Sequence, residues 1–113
     1  AAGGVRGVDS TASSADALPA AKALAAKYGC VVAVSGAVDF VTDGTRVCAV
    51  SNGVPMLTQI TAAGCSVTAL IAAFLTAAPH DPLLATSAAL SVFGLAAEKG
   101  EKAAERVWGQ AGP

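Results

Sequence analysis

At Gly29 the hydrophobic period of this chain changes, and no single regular element can carry both patterns. Before it, Ala17, Leu18, Ala21, Leu24, Ala25 and Tyr28 recur at spacings of three and four, the mark of a helix with one buried face. Glycine is the residue best suited to close such a helix in a left-handed conformation. After it, Cys30-Val31-Val32-Ala33-Val34 is apolar at every position and rich in β-branched residues, as expected of a strand covered on both faces. A helix feeding a buried strand restricts the chain to a layered α/β fold.

The remaining punctuation extends that reading. Asp9, Ser10, Ser13, Ser14 and Asp16 supply N-caps for the first helix. Asp43-Gly44 lies between the strand-like runs 37–42 and 45–50, a strong hairpin pattern. Ser51-Asn52-Gly53 makes a second turn, and 55–60 reads as a short extended segment with Pro55 at its start or edge. A second helix runs over 65–78 and stops at Pro79. Asp81-Pro82 caps and opens a third, through Leu83, Ala88, Leu90, Phe93 and Ala97 toward Arg106, interrupted by Gly94 and Gly100. Three helices on so few strands leave apolar faces and sheet edges uncovered, so the fold is expected to be incomplete without more chain or another subunit.

With 113 residues, the expectation is one domain or less. The chain is 54% hydrophobic, largely through alanine and valine, which favours closely packed helices. Its longest apolar stretch, 67–78, contains Thr68 and Thr76 and falls short of the roughly 20 residues of a membrane-spanning helix, so no membrane partner is expected. The first residues lack the apolar core of a secretory signal and do not begin with Met, so the chain is expected to start inside a longer protein. Seven basic and eight acidic residues without a basic cluster argue against nucleic acid. Cys30, Cys48 and Cys65 form no CxxC pair and fit no disulfide or zinc framework; a reducing cytoplasm is expected.

The segment Gln59-Ile60-Thr61-Ala62-Ala63-Gly64-Cys65-Ser66 is the strongest local candidate for chemistry. Small residues there leave backbone N–H groups open as a helix begins, and a helix N-terminus attracts anions through its unpaired amides and dipole. On spacing alone, the same residues equally serve close packing of helix and sheet. Cys65 falls in the first helical turn, where a thiolate is favoured for proton transfer or nucleophilic attack, whereas Cys30 and Cys48 on strand-like segments read as small core residues. Ser35-Gly36 follows the buried strand at the end where open α/β sheets place ligands, although a plain turn explains it too. Asp39 and Asp43 alternate with apolar residues and read as solvent-facing or turn-shaping. His80 reads as a linker residue, Glu98, Lys99, Glu101, Lys102, Glu105 and Arg106 as a solvated helix face, and Trp108 as a packing anchor.

Val31-Val32-Ala33-Val34-Ser35-Gly36, Asp39 with Val41-Thr42-Asp43-Gly44, Asn52-Gly53, and Thr61-Ala62-Ala63-Gly64-Cys65 together resemble the C-terminal half of hydroxyethylthiazole kinase, a ribokinase-like enzyme. Gly7-Val8-Asp9-Ser10 and Ala96-Ala97-Glu98 extend the resemblance over nearly the whole chain. It implies part of a three-layer α/β/α sheet with a β-hairpin, incomplete as it stands, in which 1–113 is the C-terminal part and the N-terminal half and last helix lie elsewhere. It implies ATP- and Mg2+-dependent phosphorylation of 4-methyl-5-(2-hydroxyethyl)thiazole in thiamine biosynthesis, by a cytoplasmic homotrimer. Residue by residue, it implies an anion hole or substrate contact at Ala62, Ala63 and Gly64, a base position at Cys65, an ATP contact at Ser35, and no metal ligand in this chain.

Departures from the family pattern go with the resemblance. Ala62 stands where the family has glycine, and a methyl group is tolerable there only if the backbone avoids a glycine-only conformation. The family's thiazole-binding residues and its Asn-x-x-Glu motif precede the region matched, and where this sequence stops at Gly112-Pro113 the family continues with a Gly-Pro-Gly-Ser-Phe segment and a last helix. The alternative is a non-catalytic fragment that keeps fold and oligomer contacts. Another ribokinase-like kinase, such as one for hydroxymethylpyrimidine, fits Cys65 and the Thr42-Asp43-Gly44 hairpin less well.

Overall fold

The computed structural model describes residues 5–6, 9–10, 13–55, 57 and 60–109. Its elements are β1 (Val5–Arg6), β2 (Asp9–Ser10), α1 (Ser14–Tyr28), β3 (Val32–Val34), β4 (Asp39–Thr42), β5 (Val47–Val50), α2 (Ala63–Ala77) and α3 (Pro82–Trp108). The fold is mixed α/β, as expected, with β3, β4 and β5 forming an antiparallel sheet in that order. β1 and β2 pair separately. Among the described residues, no helix is long and apolar enough to cross a membrane.

Local chemistry accounts for the element ends. Ser13 and Asp16 form a reciprocal capping box that opens α1, and Gly29 closes it at φ 62°. The Asp43-Gly44 turn lies between β4 and β5, as the hairpin pattern predicts, but the register Thr42↔Val47 makes residues 43–46 the loop, so Thr45 and Arg46 belong to the turn and not to the second strand. Thr42, fully buried, donates its hydroxyl to the Arg46 carbonyl at 2.8 Å and accepts the Gly44 amide at 3.0 Å, so its polar group carries no unpaired cost. Asp81 caps α3 by accepting from the Leu84 amide, with Pro82 in the first turn.

Val41, Val50, Leu83 and Leu90 make the core, with Val31, Cys48, Val67 and Ile71 packed against it. Thus α3 and the hairpin strands meet face to face, α2 lies on α3, and α1 backs β3 and β4. Full burial of a valine such as Val41 contributes about 1.5–3 kcal/mol. Several apolar residues stay in solvent, including Leu24, Tyr28, Leu84, Val92, Leu95 and Trp108. The uncovered faces expected from the ratio of helices to strands are therefore present.

Some local expectations differ from what is found. β3 is an edge strand, with Ala33 exposed and its neighbours half-buried, because among the described residues only β4 pairs with it. Cys30 is exposed, and Trp108 packs on nothing that buries it. Around 55–60, the Leu57 amide donates to the Val54 carbonyl and the Ile60 amide to the Leu57 carbonyl, so tight turns replace the extended segment. Residues 56, 58 and 59 of that segment lie outside the described residues, as do Gly7 and Val8 of the N-terminal motif and Gly112-Pro113. α3 runs unbroken through Gly94 and Gly100.

Candidate functional site

A cleft of about 520 Å³ opens between the ends of β3 and β5, the start of α2 and the middle of α3. Ser35, Ala63 and Gly64 all line it, so residues 28 and more positions apart in sequence share one wall-to-wall space. Ser35 is exposed at the end of β3. Beside it the Gly36 amide donates to Asp39 Oδ1 at 3.0 Å. Burial of the half-covered Asp39 pushes its carboxyl above the usual range, and that amide partly offsets the shift. Asp39 is the carboxylate of the cleft lining, not the solvent-facing residue its alternation suggested.

Opposite Ser35, α2 begins without a side-chain cap. Its first amides are therefore open to an external acceptor, and an added β-carbon at Gly64 would meet nothing within 4 Å. Ala62 precedes them at φ 67°, ψ 15°, and it is the non-glycine residue with positive φ among those described. The glycine-favouring conformation is thus retained with a methyl group in place, at a cost of roughly 1–2 kcal/mol. The Ala62 carbonyl accepts both the Ser66 amide and the Ser66 hydroxyl, each at 2.9 Å, which fixes the turn. Ala62 and Cys65 adjoin the cleft in sequence but are not part of its lining, and the Cys65 side chain faces solvent.

The third wall was not legible as a site. Asn52 donates from Nδ2 to the Ser91 carbonyl at 2.8 Å, and the Gly53 amide donates to Glu98 Oε1 at 3.0 Å. Gly53 adopts φ 108°. Glu98 is half-buried, which corrects its assignment to a solvated face. The available pointer was Gly94, since a glycine within a helix costs about 1 kcal/mol and marks a close approach when retained.

The open amides and the Ser35 hydroxyl are hydrogen-bond donors, suited in kind to an anionic group. Among the described residues, no group of three or more His, Cys, Asp or Glu side chains is placed to hold a metal ion, and Asp39 is the one carboxylate in the cleft lining.

Comparison with known proteins shows which family the chain resembles. The model of the Hydroxyethylthiazole kinase family matches residues 1–112. The chain is 59% identical over 100 residues to the hydroxyethylthiazole kinase of Zea mays, covering 88% of this chain and 36% of that protein. It is 54% identical over 99 residues to that of Arabidopsis thaliana, with the same coverage of 88% and 36%. The structure of the hydroxyethylthiazole kinase protein from Pyrococcus horikoshii superimposes with a TM-score of 0.73 at 44% identity, over 80% of this chain and 35% of that one. The chain therefore spans about a third of the length of the relatives it matches.

Proposed function

Because the chain belongs to the hydroxyethylthiazole kinase family, we propose that it is the C-terminal, phosphate-facing part of a kinase that transfers the γ-phosphoryl group of ATP to 4-methyl-5-(2-hydroxyethyl)thiazole. The observation that carries this reading is the shared cleft, in which Ser35 faces the uncapped amides at Ala63 and Gly64. In this reading residues 1–113 are completed by an N-terminal half, which supplies the thiazole and magnesium contacts, and by a last helix.

Each residue then has a physical task. Ser35 offers a hydroxyl to ATP. The turn at Ala62 aims the amides of Ala63 and Gly64 at the transferred group, where preorganised donors stabilise the charge that develops in the transition state. Cys65 receives the alcohol proton as the alcohol oxygen forms its bond to phosphorus and the bond to the ADP oxygen breaks. Its place in the first turn of α2, directly after Gly64 of the cleft lining, supports that role. The uncovered apolar faces support a homotrimer, and the three free thiols a cytoplasmic setting.

The test is a phosphoryl-transfer assay on the full-length polypeptide with ATP, Mg2+ and the thiazole alcohol. Phosphate ester should form, and Cys65→Ala should lower kcat by about 10²–10⁴-fold with little change in KM. No ester from the full-length protein refutes the reaction, and an unchanged kcat in Cys65→Ala refutes the base. The position of Cys65 outside the cleft lining favours one other reading, a piece that keeps the fold without activity; ATP binding without turnover is its signature.

A further inference from the structure

We propose that Glu98 and Asn52 are positioning residues, which hold the 51–54 turn against α3 and so set the cleft wall that faces the start of α2. The proposal rests on the reading of the cleft as a nucleotide site. Ser91, Gly94 and Glu98 are spaced by three and four, and so lie along one face of α3. From that face, three successive positions supply an acceptor carbonyl, a gap in side-chain cover, and an acceptor carboxylate. Two adjacent residues use all three: Asn52 bonds the carbonyl and fills the gap, while the Gly53 amide takes the carboxylate. Asn52, Gly53 and Gly94 line the cleft, whereas Glu98 acts from outside it.

Glu101 is half-buried as well, but the other four members of the charged run are different. Lys99, Lys102, Glu105 and Arg106 are exposed, but Glu98 spends its oxygen on a backbone amide, a charge-assisted bond stronger than a neutral one. The turn it holds has no regular element of its own, so its position depends on these contacts. When a wall occupies its competent position for only a fraction of the time, apparent ligand affinity falls by that fraction. The nucleotide Kd and KM should therefore rise while kcat at saturation is kept.

Glu98→Met keeps the methylenes and removes the acceptor. In the full-length protein it should weaken ATP binding, read by direct titration, by about tenfold, with kcat within about threefold. Glu98→Gln retains an acceptor oxygen, though a neutral one, and should recover most of the lost affinity. Asn52→Ala, which breaks the other contact, should weaken ATP in the same way and covers the case of an unfolded Glu98→Met. A lowered Tm with unchanged ATP Kd in the folded variants overturns the proposal, as does failure of Glu98→Gln to restore binding. Titration does not depend on the acceptor alcohol, so a protein that binds ATP but leaves the thiazole alcohol unmodified refutes the reaction assigned above and leaves this test standing.

Discussion

Asn52 rests on the backbone of α3 so closely that a β-carbon at Gly94 would sit 2.1 Å from its Oδ1. That oxygen is buried and has no hydrogen-bond partner among the described residues, while Nδ2 is committed to Ser91. The side chain therefore cannot swing aside without giving up a buried bond.

Gly94→Ala sets two effects against each other. Helix propensity favours alanine by about 1 kcal/mol, but displacing Asn52 sacrifices a bond and leaves buried polar groups unpaired, about 1–3 kcal/mol. Net destabilisation of about 1–2 kcal/mol is expected in denaturant unfolding of the full-length protein. Adding Asn52→Ala to Gly94→Ala should cost less than the sum of the two single changes, since the pair shares one contact.

Ala62→Gly should stabilise. Ala62 holds a left-handed backbone at the cap position of α2, where alanine is among the poorest residues and glycine much better. Relief of the left-handed penalty outweighs the added freedom of the unfolded chain, for a gain of about 0.5–1 kcal/mol. A β-branched residue such as Val should lower Tm instead. Thermal unfolding of the three proteins side by side gives the order Gly above Ala above Val.

The hairpin turn sets an acid limit. The backbone amides of Arg46 and Thr45, followed by the Arg46 guanidinium, hold the Asp43 carboxyl at about 2, below its ordinary 3.8. A depressed acid pKa contributes stability that is present above the unfolded value and is lost as pH falls through the folded one. Unfolding free energy should therefore fall between about pH 4 and pH 2, and that slope should be shallower in Asp43→Asn. Arg46 is exposed and Asp43 partly so, and added salt should therefore weaken the Arg46 part of the effect.

Legibility in the sequence followed the range of the interaction. Gly29, Asp43-Gly44 and Asp81-Pro82 act within a few residues, and the structure places an end or a turn at each. The Ala62 question was also local, and the answer is a retained left-handed turn. Glu98 failed because its partner lies 45 residues away, so its neighbours in a charged run were a poor guide. The five apolar positions at 30–34 announced a strand correctly, but how many faces are covered depends on what else pairs with β3. Ser35, Ala63 and Gly64 could be named singly; that they share a cleft follows from the packing of the hairpin on α3, which no spacing encodes.

Among the described residues, Val41 and Thr42 are the largest side chains wholly shut off from water, in a body whose shortest principal extent is 19 Å. Heat capacity of unfolding follows the apolar surface released, with an average near 12–15 cal/mol/K per residue. These residues have little interior of their own, so their share of the heat-capacity change falls below that average and adds only shallow curvature to the stability curve of the full-length protein.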